Sequence, residues 1–268
     1  MRTSLCRAIL AALGIAPFAV PAAAQTNSEL AGYLGTLVTP AGALPGWVAP
    51  TMADVNGDAF GLRAEYGRVQ LESSLPINAN TFGGSIDLLI ARGRIALSAT
   101  GGYLFPECPT GAGGILVGAN CSGFAIAGAE LLARLIRYHV DVARDTGELT
   151  VSLSARGGRA FPDNSTVYSY GAGVPFAIAS YVGRSTRFVP FITPGVTWGH
   201  VETDVPSGTG TRRLDATGTR FVLSGGVAFI GAHSGLGLHA TVNRIFVEGA
   251  RTQFGFALSW NSIAVGRR

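Results

Sequence analysis

Large apolar side chains recur at every second position from residue 59 onward. Phe254, Phe256, Leu258 and Trp260 alternate with Gln253, Gly255, Ala257 and Ser259, so a strand there has one greasy face and one small or polar face. The same period places Leu236, Leu238, Ala240 and Val242 on one side, and Phe221, Leu223, Val227 and Phe229 on one side of the segment before it. It continues backwards through Phe188, Ile192, Val196 and Trp198, through Tyr168, Tyr170, Val174, Phe176 and Ile178, and through Leu149, Val151, Leu153 and Ala155. Ile95, Leu97, Ala99 and Tyr103 give another strand, as do Ile86, Leu88 and Ile90, and Phe60, Leu62, Ala64 and Tyr66. Residues 124–139 are apolar in both parities and would also suit a helix. Glu130 and Arg134 share the parity of Phe124 and Ile126, which assigns that face to a polar interior and Ala125, Ala127, Leu131 and Leu135 to the outside.

The connections decide the architecture. Segments 73–84, 106–122, 157–165 and 202–218 are read as the loops of one end, and 92–94, 141–148, 182–187 and 231–235 as the turns of the other; a short 248–251 connection leads into the last strand. Longer loops at one end, shorter turns at the other and strands with an apolar and a polar face predict an all-β, up-and-down antiparallel transmembrane barrel. The count is about ten strands, with 8 or 12 as alternatives. A closed ring is what lipid demands, because an open sheet edge would leave backbone groups without partners. A secreted soluble β-sandwich would also alternate, but it would place its aromatics inward and polar side chains outward. Here the second face is mostly Gly, Ala, Ser and Thr, better suited to a filled lumen than to a solvated surface.

Composition agrees with this picture. The chain is 47% hydrophobic and 13% charged, with 38 Gly in 268 residues, against a usual charged share of about a quarter in soluble domains. The mean hydropathy of +0.34 raises the possibility of membrane helices. The longest charge-free stretch, 221–243, is interrupted by Gly231-Ala232-His233-Ser234-Gly235 and reads better as two strands. All 20 basic residues are Arg, which removes lysine-dependent chemistry such as Schiff bases and Walker-A nucleotide loops. A net charge of +4 is too small for a nucleic-acid footprint, so no nucleic-acid partner is expected.

Residues 1–24 have the layout of a cleavable export signal: Arg2 and Arg7, an apolar stretch from Ala8 to Val20, and Pro21-Ala22-Ala23-Ala24 before Gln25. Cleavage after Ala24 leaves two of the three Cys, Cys108 and Cys121, bracketing a Pro-, Gly- and Asn-containing loop. In an oxidising compartment this pair predicts a disulfide. Residues 25–58 are rich in Pro and turn formers and are read as a periplasmic lead-in or an extra hairpin; residues 59–268 form the barrel.

With these strands in place, the chain resembles bacterial outer-membrane β-barrel proteins of the small opacity or porin-like kind. Gln253-x-Gly255-x-x-Leu258-x-Trp260 is similar to the C-terminal assembly signal of such barrels, and Val189-Pro190-Phe191-Ile192-x-Pro194-Gly195-Val196-x-Trp198-Gly199 to a strand common among them. The tail 261–268 departs from the pattern, since such proteins usually end on the aromatic residue. The resemblance implies an outer-membrane location, with lipid and the barrel-assembly machinery as partners. It specifies neither the oligomeric state nor an activity.

Candidate chemistry is sparse. Asp54-Val55-Asn56-Gly57-Asp58 with Glu65 has calcium-loop spacing, but Ala59 stands where the loop needs Gly and no helix flanks it, so a turn is the better reading. The inward-parity charges Arg63, Glu65, Asp87, Glu130, Arg134 and Arg156 are the main candidates, either as a paired plug or as a selectivity lining. Ser, His and acids are present, but no nucleophile motif surrounds any Ser, and His139, His200, His233 and His239 lack metal-ligand spacing. No cofactor and no metal are expected. The functional expectation is a narrow passive pore or a structural, surface-interacting barrel, with an outer-membrane enzyme or a secreted binding protein as alternatives.

Overall fold

The computed structural model describes residues 57–70, 78–107, 123–142, 145–163, 165–183, 185–207, 210–246 and 253–262. Cys108, Cys121, the export segment and all but the last two residues of 25–58 lie outside them. Eleven strand segments run β1 (Ala59–Gln70), β2 (Asn78–Ile90), β3 (Ile95–Glu107), β4 (Phe124–Val142), β5 (Asp145–Phe161), β6 (Ser165–Gly173), β7 (Phe176–Val182), β8 (Thr186–Ser207), β9 (Gly210–Gly231), β10 (Leu236–Ile245) and β11 (Gln253–Asn261). Strands β6 and β7 both pair with β5 on one side and β8 on the other, so they are two halves of one stave. Sequence periodicity predicts one strand there. Pro175 interrupts it because it has no N–H for the ladder, while its carbonyl still accepts Ser152 N at 2.9 Å.

Every neighbouring pair is antiparallel, and β1 pairs directly with β11, closing a ring of ten staves. No additional hairpin takes part in the closure, which settles the count against eight and twelve. From Glu65, the pairing through β2 to β8 meets β9 at Ala216; through β11 and β10 it meets β9 at Ala228, a stagger of twelve residues. Ten staves with that stagger give a strand tilt of about 40° and a backbone radius of about 10 Å. Inside such a ring an Arg side chain reaches its neighbours' side chains easily.

The apolar parity faces outward throughout. Leu62, Phe82, Ile86, Leu131, Leu153, Phe221, Leu238, Phe256 and Leu258 are exposed, and their sequence neighbours are buried or half-buried. This exterior is that of a barrel standing in a bilayer, and it excludes the soluble sandwich. Aromatic rings gather toward the loop end, with Tyr66 and Phe82 at 5.0 Å, Tyr103 and Phe105 at 4.8 Å, and Tyr168 and Trp198 at 5.6 Å. Above the first group, Tyr66 Oη donates to Asn80 and Asn80 donates to Glu107, the polar margin expected where a membrane girdle meets water.

The predicted 73–84 loop gives up residues 78–84 to β2, which pair there with β1 and β3, and three other connections are also markedly shorter than the pattern predicts. Strands β4 and β5 are joined by residues 143–144 alone, so Glu148 belongs to β5 instead of a loop. The 202–218 segment is a continued β8–β9 hairpin, paired as far as Ser207↔Gly210. At the third, residues 157–161 extend β5, and residues 162–164 alone lead into β6. Turn formers such as Gly and Asp lie within all three stretches and hide their strand character.

Past Trp260 the chain remains attached: Asn261 N donates to the Gly235 carbonyl, and Ser262 N to the Phe60 carbonyl at 2.7 Å. Gly235 sits at φ +69°, where a Cβ would collide with the Asn261 carbonyl. Gly235→Ala should therefore destabilise the barrel by at least about 1–2 kcal/mol, from the left-handed backbone alone. The check is the temperature at which detergent-extracted protein loses its compact, fast-migrating form on gels.

Candidate functional site

The lumen is the candidate site. Arg63 on β1 is its centre: its guanidinium meets Asp87 through Nε at 2.8 Å and through a second nitrogen at 3.0 Å, and donates to Ser98 Oγ at 3.2 Å. Glu65 Oε1 lies 3.6 Å from Arg63 Nε and accepts from Ser85 Oγ at 3.2 Å. These side chains are almost closed to solvent, 1% or less exposed for Arg63, Glu65 and Asp87. Two-point contact fixes the guanidinium plane, and burial makes its pairing obligatory.

Strand register extends this cluster along one wall. Asp87, Ser98, Glu130 and Arg156 are successive partners across β2, β3, β4 and β5, followed by Gly171 on β6. Arg156 lies over that glycine, where a Cβ would stand 3.1 Å from its Nε. Gly171 thus leaves room for the side chain. Arg134 is set apart from this group. It sits at the turn end, its backbone N donating to the Arg94 carbonyl at 2.7 Å and its guanidinium reaching the Arg92 carbonyl at 3.5 Å.

Three inward charges, Arg137, Glu148 and Arg187, escaped the parity reading. A β-bulge between Arg134 and Ile136 leaves Leu135 and Ile136 both exposed and turns Arg137 inward, where it pairs with Glu148. The continuing polar parity of Ser154, Ser152 and Thr150 pointed back to Glu148. Arg187 on β8 is also buried. The lumen is also less uniformly polar than its small residues suggest: toward the turn end Ala177, Ala179, Val189, Phe191, Ala228 and Ile230 form an apolar cluster.

The calcium-like spacing dissolves in three dimensions. Asp58 Oδ1 accepts Arg92 N at the β2–β3 turn, while Glu65 is inside the ring. His239 contacts Ser259 Oγ at 2.6 Å, both buried, and His200 Nδ1 lies 3.6 Å from Asp215. Among the described residues no three His, Cys, Asp or Glu side chains gather as metal ligands. In the C-terminal motif, Gln253 faces inward, Gly255 stands between Gly67 and Thr241, and Leu258 and Trp260 face outward.

No protein-family model matches the chain, and no curated protein matches it. Among solved structures, an outer-membrane channel of Pseudomonas putida F1 is 10% identical, covering 76% of this chain and 96% of that one, at a TM-score of 0.32. The beta domain of the Bordetella autotransporter BrkA is 10% identical over 76% of this chain and 99% of that one, TM-score 0.36. The translocator domain of the autotransporter NalP from Neisseria meningitidis is 10% identical over 75% and 86%, TM-score 0.30. Likeness at this level carries nothing about what the chain does; the fold rests on the strand pairing.

Proposed function

We propose that this chain is an outer-membrane barrel providing a narrow, passive path for small solutes, with ion passage held down by paired charges on one lumen wall. The observation that carries it is the Arg63–Asp87 pair, two contacts of 2.8 and 3.0 Å inside a ring of about 10 Å radius, shut away from solvent. A lining that attracted ions would present unpaired charge to water; here Arg63 is matched by Asp87 and flanked by Glu65. The proposal includes export through residues 1–24, a Cys108–Cys121 disulfide, and insertion by the barrel-assembly machinery. The proposal includes no catalytic role, and the His239–Ser259 contact is read as a hydrogen bond of the barrel interior.

Planar-bilayer recording tests the proposal. The wild-type chain should give small conductance steps, and Asp87→Ala, which leaves Arg63 without its two-point partner, should give larger steps with altered ion selectivity. Large wild-type steps unchanged by the substitution would overturn occlusion by the pair. Silence from both, with no solute passing in vesicles, would favour a structural or surface-interacting barrel. The β8–β9 hairpin supports that second reading, since it rises beyond its last partners, Thr203 toward β6 and Val222 toward β10.

A further inference from the structure

Opposite the charged wall stands an uncharged one. Gln253, Asn243, Ser224 and Thr193 are successive register partners across β11, β10, β9 and β8. All four face inward and are no more than 3% exposed. Among the described residues, Gln253 Nε2 and Oε1, Asn243 Oδ1, Ser224 Oγ and Thr193 Oγ1 have no hydrogen-bond partner. Buried polar atoms without partners are rare in folded proteins, and four consecutive residues carrying them are not accounted for by packing. Strands β8, β9 and β10 lie five staves around the ring from β2, β3 and β4, so this row confronts Asp87, Ser98 and Glu130 across the lumen.

We propose that this row is a subsite for small, neutral, hydrogen-bonding solutes of the polyol or amide class. Neighbouring strands space the four side chains at about 4.8 Å, which offers donors and acceptors at successive steps along a short chain of hydroxyl or amide groups. The row carries no formal charge and so does not compensate an ion for its lost water, and on the facing wall Arg63 is already paired with Asp87. A hydroxylated or amide solute exchanges its water hydrogen bonds for those of the row. The inference rests on the narrow-path proposal and names the solute class that the path accepts.

The test is osmotic swelling of liposomes carrying the full chain, in isotonic glycerol or urea, alongside conductance in KCl. Glycerol and urea should enter faster than into protein-free liposomes, while conductance stays small. Thr193→Val and Asn243→Leu remove polar groups at nearly constant volume, and each should slow entry about fivefold, the scale of one lost hydrogen bond. Retention of the fast unboiled gel band by both variants shows that the barrel is intact; if Asn243→Leu fails to fold, Thr193→Val alone carries the comparison. Entry that proceeds equally in the variants overturns the subsite while leaving the narrow path standing. Ions passing as readily as glycerol also overturn it. Absence of both swelling and conductance defeats the narrow path itself.

Discussion

Arg63→Ala should cost the barrel about 3–5 kcal/mol, the range for removing one member of a buried ion pair. The substitution leaves Asp87, whose exposure is nil, facing a lumen from which its two contacts of 2.8 and 3.0 Å have gone, and it removes the cation nearest Glu65. The loss is mainly a stranded charge, so removing the charges together should be far milder. Arg63→Met with Glu65→Leu and Asp87→Leu is expected to lie much nearer wild type than the single change. The temperature at which the compact unboiled form disappears reads this directly. A single variant within about 1 kcal/mol of wild type would show that the cluster is not a structural constraint.

Leu258→Arg is the second large effect. Leu258 lies mid-strand on β11, is 61% exposed and stands between Ala64 on β1 and Leu238 on β10, so it points at the hydrocarbon core. An Arg on the lipid face near the midplane costs about 2–4 kcal/mol. The cost arises in the membrane, where no water or counter-charge accompanies the guanidinium. Reversible folding into phospholipid vesicles should show a destabilisation of this size. Asp163→Arg, at an exposed position in the connection between β5 and β6, should be nearly silent. Equal effects at both positions would mean that Leu258 does not face lipid.

Arg63 and Leu258 also show how differently the two faces are written in the sequence. The lipid face is legible because a bilayer demands large apolar side chains at every second position, and Phe254, Phe256, Leu258 and Trp260 can be read without knowing any partner strand. The lumen face is legible only as polarity. Parity places Arg63, Asp87 and Glu130 on one side of their strands but is silent about who meets whom. Arg137 is hidden because the bulge at Leu135 reverses the parity after it, and no local signal marks a bulge. Glu148 is hidden because Asp145, Thr146 and Gly147 suit a turn as well as a strand end.

The sequence by itself therefore determined the alternation, the class of fold and the apolar exterior, because each follows from a period-two pattern and the ban on open edges in lipid; that the ring has ten staves was fixed by the direct pairing of β1 with β11. Only the tertiary structure decided the pairings inside. The stagger of twelve brings Asp87, Ser98, Glu130 and Arg156 into one row and Gln253, Asn243, Ser224 and Thr193 into another on the opposite wall. Register is a property of two strands at once: it is set by the fit of side chains across the closed ring, which no single segment specifies.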